Sequence, residues 1–503
     1  MPRSLPRLRQ LPYALYTAAQ VRALDQAAIA NGIPDTELME RAGRAAYDLL
    51  RQYWPQARFL CLLCGPGNNG GDGYVVARLA RAEGLEVRVL QFGDLEGLGP
   101  AARSQLRAWL GAGGKLEAFD QLPARAEVIV DAMLGIGLER PLTGAWGQAV
   151  RAVNALKTPV MAIDIPSGLH ADTGRILGEA IRANVTLSFI GLKQGLFTGA
   201  GPDCGGQIHF DGLGVPATIY RREILSARRL DWPKVANLVE KRRRDAHKGD
   251  FGHVLLIGGA PGFSGAVRLG GEGALRAGAG LVTVATHPAH AALLNLGRPE
   301  LMVRGIGEPA ELTPLLERAS VVAIGPGLGQ DPWASGLMER VLAEAKPLVL
   351  DADALNWLAK APIHRHDWIL TPHPGEAARL LGCSTAAVQQ DRFHAVRQLR
   401  ESYGGTIVLK GAGTLILGDA RQPVGVCSQG NPGMASGGSG DVLTGICAAL
   451  LAQGLAPAQA GELAVCLHAT AGDRAAVDGE QGMLPSDLIA AIRPTLNQAD
   501  LAP

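Results

Sequence analysis

The chain is 503 residues long, with 47% hydrophobic and 19% charged residues and a formal net charge of +1. That length exceeds what one hydrophobic core supports and points to two domains, while near-neutrality excludes a global field that draws nucleic acid or an anionic membrane. The 66 glycines, against 5% aromatics, favour tight βα turns and backbone-lined sites over aromatic stacking surfaces.

The first residues, MPRSLPRLRQLP, carry arginines with no apolar core behind them, so they are not expected to act as a secretory signal. A helix is predicted over Ala18–Asn31, capped by Thr17, with Val21, Leu24, Ala27 and Ala28 on one apolar face. Short β-like runs then alternate with helical patterns. The strands read Phe59–Cys64, Glu86–Gln91, Val128–Asp131, Val160–Asp164 and Ala183–Phe189, with helices such as Val75–Glu83 and Ala101–Leu110 between them. This alternation predicts a parallel sheet covered on both faces, a Rossmann-like, doubly wound α/β domain over residues 1–222.

The pattern breaks between Val215 and Lys248, where the pairs Arg221-Arg222 and Arg228-Arg229 precede the basic run Lys241–Arg244. Without interleaved aromatics this stretch reads as a solvated boundary rather than a nucleic-acid or membrane site. A new α/β series begins at His253–Ile257 and continues through Leu281–Ala285, Val321–Ile324, Leu348–Leu350, Trp368–Leu370 and Thr406–Leu409. It places a second domain over residues 230–503. No internal repeat links the halves, so two different folds with separate sites are expected. The most hydrophobic stretch, Val442–Ala469, is interrupted by Gln453, Gly454, Pro457 and Glu462. It reads as two buried helices joined by a turn, not as a membrane span. Of the seven cysteines, Cys61 and Cys64 form a C-x-x-C, but Cys61 lies in an apolar run and no second pair follows at zinc spacing. Buried thiols in a reducing cytosol are the expectation.

The segment from Cys64 to Tyr74, CGPGNNGGDGY, follows a strand and opens a helix. Gly65, Gly67 and Gly70 satisfy G-x-G-x-x-G, yet the acidic residue that reads a ribose about 20 positions on is missing, since the next strand ends Val89-Leu90-Gln91. An ordinary dinucleotide dehydrogenase is therefore disfavoured. Asn68, Asn69 and Asp72 add polar groups that a structural turn does not need. Two more strands end on Asp131 and Asp164, and parallel strands deliver their C-termini to a shared crevice. Asp72, Asp131 and Asp164, with Asn69 and Ser167, then form an oxygen-rich set suited to a hard cation.

In the second half, NPGMASGGSGD (Asn431–Asp441) precedes an apolar helix, Val442–Ala452. Its glycines free backbone N–H groups at a helix start, where the dipole favours an anion. Asp441 is positioned to take a proton from a hydroxyl that attacks a bound phosphate. Glycine turns at Gly258–Ala266 and Ala323–Gly329, the carboxylates Asp351 and Asp353, the run Thr371–Glu376 and the Lys410 turn accompany it. His373, held between two prolines, reads as a ligand contact. From these residues alone, a kinase for a small vitamin or sugar, or a non-catalytic nucleotide sensor in the first half, remain open.

GNNGGDG, DAMLGIG and DIPSG, together with the upstream LMERAG, resemble the NAD(P)H-hydrate epimerase family over roughly the first 215 residues. The resemblance implies that Asn68, Asn69, Gly70, Gly71 and Asp72, with Gly135, Ile136, Gly137, Leu138, Glu139, Arg140 and Pro141, hold a hydrated nicotinamide nucleotide. It implies a K⁺ ion ligated by Asn69, Asp131 and Ser167, and a substrate-binding, acid/base role for Asp164. The loop ending in Gly-Asp is similar to the ribokinase-like superfamily. HKGDFG, GPGLG, LDADALN, TPHPGE, LKGAGT and GGSGD are similar, more narrowly, to the ADP/ATP-dependent NAD(P)H-hydrate dehydratases over residues 230–503. That resemblance implies a ribokinase-like α/β fold, with Ala266, Gly327, His373 and Asp441 on the hydrated cofactor. Lys410, Gly411, Ala412, Gly413, Thr414 and Gly440 then contact the adenine nucleotide, ADP as co-substrate, with Mg²⁺ on its phosphates and Asp441 as catalytic base. Together the two resemblances imply a fused repair chain with small-molecule partners, no nucleic-acid or membrane partner, and a homo-oligomeric assembly such as a tetramer.

Overall fold

The computed structural model describes residues 11–497, apart from the side chain of Arg222; most of the N-terminal segment read for a secretory signal lies outside them. The chain divides into two compact units, residues 1–228 and 229–503.

The first unit contains β1 (Ala14–Tyr16), β2 (Phe59–Cys64), β3 (Glu86–Gln91), β4 (Glu117–Ala118), β5 (Val128–Ala132), β6 (Val160–Ile163), β7 (Val185–Phe189), β8 (Leu192–Lys193) and β9 (Gln207–Asp211), and the first half of β10 (Ala227–Leu230). Seven of these form a sheet in the order β4-β3-β2-β5-β6-β7-β9, and every neighbouring pair is parallel. β1 pairs separately with β8 and, antiparallel, with β10. Every residue of β2, FLCLLC, is buried, as a central parallel strand covered on both faces requires. The chain order reverses between β2 and β5, so the crevice beyond their C-terminal ends is the topological switch point.

Local signals account for most of the helices. Thr17 and Gln20 close a capping box on Ala18–Ala30. The helix Asn68–Ala82 begins seven residues before the apolar pattern at Val75. Glycine lowers helix propensity, but here it permits packing: a Cβ on Gly73 would stand 2.8 Å from Cys64 Sγ. The amphipathic helix Asp35–Tyr53, which carries LMERAG, buries Leu38, Met39, Ala42, Ala46, Leu49 and Leu50.

The second unit contains β11 (His253–Ile257), β12 (Leu281–Thr286), β13 (Met302–Gly305), β14 (Val321–Ile324), β15 (Leu348–Leu350), β16 (Trp368–Leu370), β17 (Thr406–Leu409), β18 (Thr414–Leu417) and β19 (Val424–Cys427). They follow the order β13-β12-β11-β14-β15-β16-β17-β18-β19, parallel up to β17 and antiparallel beyond it. The switch point lies between β11 and β14. Helix Ser439–Ala452 crosses helix Ser264–Arg276 so closely that a Cβ on Gly445 would lie 1.9 Å from the Gly270 carbonyl oxygen. Only glycine allows that approach, and it places both helix N-termini beside the switch point.

The stretch 215–248 differs from a uniform solvated boundary. It contains β10 and the helical turn Trp232–Val235. Arg229 is buried there and donates to Ser428 Oγ at 3.0 Å. Lys241–Arg244 do lie exposed. The apolar run beyond Val442 forms two helices, Ser439–Ala452 and Pro457–Ala475, and no described helix is long and apolar enough to cross a membrane. Cys61 and Cys64 are buried free thiols, whereas Cys383 is exposed.

Candidate active sites

At the first switch point, the strand ends deliver a buried polar cluster. Asp131, the fourth residue of β5, is fully buried; its carboxylate accepts Ser167 N–H at 2.7 Å, Ser167 O–H at 2.6 Å and Met133 N–H at 3.2 Å. Burial pushes its carboxyl up to about 6, while these hydrogen bonds pull the other way. Ser167 Oγ also accepts from Leu134 N–H at 2.9 Å, which ties the start of the 135–141 loop to Asp131. Gly135 faces this cluster: a Cβ there would sit 3.5 Å from Asp164 Oδ2 and 3.6 Å from Asn69 Cβ. The Asn69 amide is buried, and neither its oxygen nor its nitrogen has a hydrogen-bond partner among the described residues. An orphaned buried amide is costly, and it marks a place shaped for a ligand. The loop's outer residues Gly137, Glu139, Arg140 and Pro141 are exposed and form a rim.

Asp164 lies one residue beyond β6, not within the strand as expected, with φ of +68°. A non-glycine residue in this region is strained and marks a backbone held by its surroundings. Its Oδ1 pairs with the ammonium of Lys193, the last residue of β8, which also donates to Ser188 Oγ at 3.2 Å and Phe189 O at 3.1 Å. Lys193 is fully buried (1% exposed) and is the functional candidate that motif reading missed. A charged residue inside the apolar run FIGLKQGLF was its one sequence signal. Two carboxyls join its field. Burial pushes Asp25 up to about 7, and burial with the nearby Asp164 raises Asp72 well above the usual carboxylate range.

In the second unit, the residues singled out from sequence converge on the C-terminal ends of β11, β14, β15, β16 and β17. Lys410, just past β17, donates to Asp351 Oδ1 at 2.7 Å, and its ammonium lies 3.9 Å from Glu376 Oε2. Asp351 Oδ2 accepts from Thr444 O–H at 2.6 Å. Burial alone would lower the Lys410 pKa, but Asp351, Glu376 and Asp441 more than reverse it, so the ammonium is firmly charged. Asp441 lies in the first turn of helix Ser439–Ala452. Burial pushes its carboxyl up to about 7, Asp351 adds to this and Lys410 opposes it. Gly440 opens the space beside it: a Cβ there would meet Lys410 Nζ at 3.2 Å and Asp351 Oδ2 at 3.9 Å.

Gly327 and Ala266 adjoin, since a Cβ on Gly327 would come 3.2 Å from Ala266 Cβ. His373 caps helix Pro374–Leu381, its Nδ1 accepting Gly375 N–H at 3.0 Å and Glu376 N–H at 3.3 Å. Burial and the Lys410 charge lower its pKa. The Lys410–Thr414 turn is held from behind by Arg392. That guanidinium is buried and donates to Leu409 O at 3.2 Å, Lys410 O at 3.3 Å and Gly413 O at 3.4 Å. Asn431, at the head of the glycine-rich run, caps the following turn with its amide and donates to Asp473 Oδ1 at 3.0 Å.

A family model described as NAD(P)H-hydrate dehydratase matches residues 254–494, and one described as YjeF-related protein N-terminus matches residues 35–195. The chain is 47% identical over 485 residues to the bifunctional NAD(P)H-hydrate repair enzyme Nnr of Coxiella burnetii, covering 96% of this chain and 99% of that protein. The protein of the same name from Escherichia coli is 45% identical over 492 residues, covering 97% and 95%. Among solved structures, a ribokinase-like superfamily protein from Enterococcus faecalis is 32% identical with a TM-score of 0.51, covering 55% of this chain and 98% of that one. An ADP/ATP-dependent NAD(P)H-hydrate dehydratase from Bacillus subtilis, co-crystallised with ATP and Mg²⁺, is 29% identical with a TM-score of 0.50, covering 54% and 99%. The second unit has the ribokinase-like fold.

Proposed function

The chain belongs to the bifunctional NAD(P)H-hydrate repair enzymes, and from that premise we propose how its two sites divide the repair of hydrated NADH and NADPH. The first unit interconverts the R and S forms of the hydrate; the second dehydrates the S form, consuming ADP and releasing AMP and phosphate. The observation that carries the reading is Asp441: a carboxyl with a raised pKa at a helix start, beside the Lys410 ammonium, which lies so close to the helix that a Cβ on Gly440 would meet it at 3.2 Å.

In the second unit Asp441 takes the proton of the ring hydroxyl as that oxygen attacks the terminal phosphoryl group of ADP. Lys410 and the N–H groups at the helix start stabilise the charge on the transferring group, and AMP departs. Loss of phosphate from the ring carbon and a proton from its neighbour restores the dihydronicotinamide. The donor set fits nucleotide-borne Mg²⁺: Asp351, Glu376, Asp353 and Asp441 outnumber the single ammonium in their field. Bound there, Mg²⁺ supplies countercharge to the phosphates.

In the first unit Asp164 and Lys193 form an acid–base pair one hydrogen bond apart, suited to moving a proton at the hydrated ring carbon. The orphaned Asn69 amide, with Asp131 and Ser167, fits K⁺: the set is all oxygen and carries one carboxylate. K⁺ there supplies a fixed charge near the substrate. Residues Asn68–Asp72 and Gly135–Pro141 bind the hydrate; Ala266, Gly327 and His373 bind it in the second unit, with Lys410–Thr414 and Gly440 on ADP. The reading extends to a cytoplasmic homo-oligomer such as a tetramer. The test incubates mixed hydrate epimers of NADH with ADP or ATP and follows recovery of NADH absorbance. Full conversion of both epimers supports both activities. Conversion of one epimer removes the first, and a stable phosphorylated product in place of NADH removes the second.

A further inference from the structure

A groove of about 420 Å³ lies beside the second site, lined by Gln330, Asn356, Ala359, Lys360 and Arg379. Its residues come from the Gly327 loop after β14, from helix Ala352–Lys360 after β15, and from helix Pro374–Leu381, which His373 caps. The first and last of these segments begin at Gly327 and His373, the residues read as contacts of the hydrate. Gly329 N–H donates to Asp353 Oδ2 at 2.9 Å, and Asn356 Nδ2 donates to Asp353 Oδ1 at 3.3 Å. Lys360 stands seven residues along its helix from Asp353, roughly 10 Å at 1.5 Å per residue.

The cations in this groove are unusual in their partners. Arg379 Nε donates to Asn356 Oδ1 at 2.7 Å, and Lys360 Nζ donates to Gln330 Oε1 at 2.9 Å while lying 5.4 Å from the centre of the Trp357 ring. These partners are neutral, and among the described residues neither cation has a carboxylate oxygen within 4.0 Å. Both side chains are exposed and held by amides, and Arg379 also lies in the field of Glu376, so each keeps donors free for a further anion. The adenine-nucleotide residues Lys410–Thr414 lie beyond β17, whereas every lining residue follows β14, β15 or β16. The groove thus borders the segments assigned to the hydrate rather than the turn assigned to ADP.

We propose that Lys360 and Arg379 form a subsite for a phosphate group of the hydrated dinucleotide, holding its distal part while the hydrated ring sits at Asp441. This rests on the dehydratase reading given above. Two phosphate sources share the chemistry: the pyrophosphate common to both hydrates and the 2′-phosphate of the NADPH form. The test compares wild type, Lys360→Gln, Arg379→Gln and the double variant in ADP-driven dehydration. The substrates are hydrated NADH, hydrated NADPH and the hydrate of reduced nicotinamide riboside, which carries no phosphate. Each substitution should raise KM for a recognised dinucleotide hydrate roughly tenfold, as expected for a lost charge-assisted hydrogen bond. The kcat, the KM for ADP and the KM for the riboside hydrate should stay unchanged. A rise for both dinucleotides identifies the pyrophosphate; a rise for hydrated NADPH alone identifies the 2′-phosphate. Unchanged dinucleotide KM values, an equal rise for the riboside hydrate, or a rise in KM for ADP would overturn the subsite while leaving the dehydratase intact. A wild type that recovers no NADH or NADPH from any hydrate would overturn the reading on which the subsite rests, and the subsite with it.

Discussion

Gly440→Ala separates the phosphate cradle from the stability of the fold. The new methyl would lie 3.2 Å from Lys410 Nζ and 3.9 Å from Asp351 Oδ2 and meets nothing else within 4 Å. Lys410 is tied to Asp351 at 2.7 Å, so the methyl occupies the space between the ammonium and the helix start. A phosphoryl oxygen bridging those two loses a donor, worth about 3–4 kcal/mol or about 10²–10³ in kcat when one oxyanion contact is removed. Stability is set by two opposed effects, the helix gain of alanine and the few tenths of an ångström by which Lys410 must give. Gly440 is helical, and alanine there gains up to about 0.5–1 kcal/mol, a rise in Tm of no more than about 4 °C for a unit of this size. Calorimetry and ADP-driven recovery of NADH read the two effects, and epimerisation by the first unit serves as an internal control. Gly437→Ala is the companion: nothing lies within 4 Å of its Cβ, so activity and Tm should both hold. Dehydration by Gly440→Ala within twofold of wild type would refute the cradle, and a marked fall in Tm would mean that the methyl is not accommodated.

Asp441→Asn should abolish dehydration and spare epimerisation. Its stability effect has a definite sign: a carboxyl held at about 7 in the fold, against an ordinary value of 3.8, binds its proton more tightly when folded. Folding therefore carries a penalty above pH 7, on the order of 4 kcal/mol, which is relieved as pH falls from about 7 to 3.8. The Asn variant should melt higher than wild type at pH 8 and lose that advantage by about pH 4; an unchanged difference across that range would count against the burial argument. The same carboxyl predicts that kcat/KM for dehydration falls below about pH 7, and a flat profile down to pH 5 would exclude Asp441 as base. Lys193→Met, similar in length, should lower epimerisation at least about 10²-fold, the scale of one acid–base contribution, with dehydration of the S hydrate unaffected. Asn69→Leu should remove the response of epimerisation to added K⁺ while its Tm stays within a few degrees, because no protein partner is lost; a retained K⁺ response would place the cation elsewhere.

The strand ends were legible because a parallel sheet gives its C-termini a shared crevice: Asp131, Asp351 and Lys410 each lie at or just beyond a buried apolar run. What the sequence hid was the pairing. Lys193 meets Asp164 across 29 residues and Lys410 meets Asp351 across 59, distances at which no local period signals a contact. Arg392 reads as a surface residue in RFHAVRQLR, yet it is buried and supports the turn at Lys410 by donating to three carbonyls. The glycine-rich start of Asn68–Ala82 looked like a loop because propensity counts glycine against helix, whereas the close packing of Gly73 on Cys64 demands it. These cases share one cause. A site in an α/β fold consists of groups that lower one another's cost of burial, so a residue judged alone, as a lone lysine or a lone glycine, carries the wrong sign. Lys193 is tolerable in the core because Asp164, Ser188 and the Phe189 carbonyl accept from it, and removing Asp164 should expose the cost of the buried ammonium.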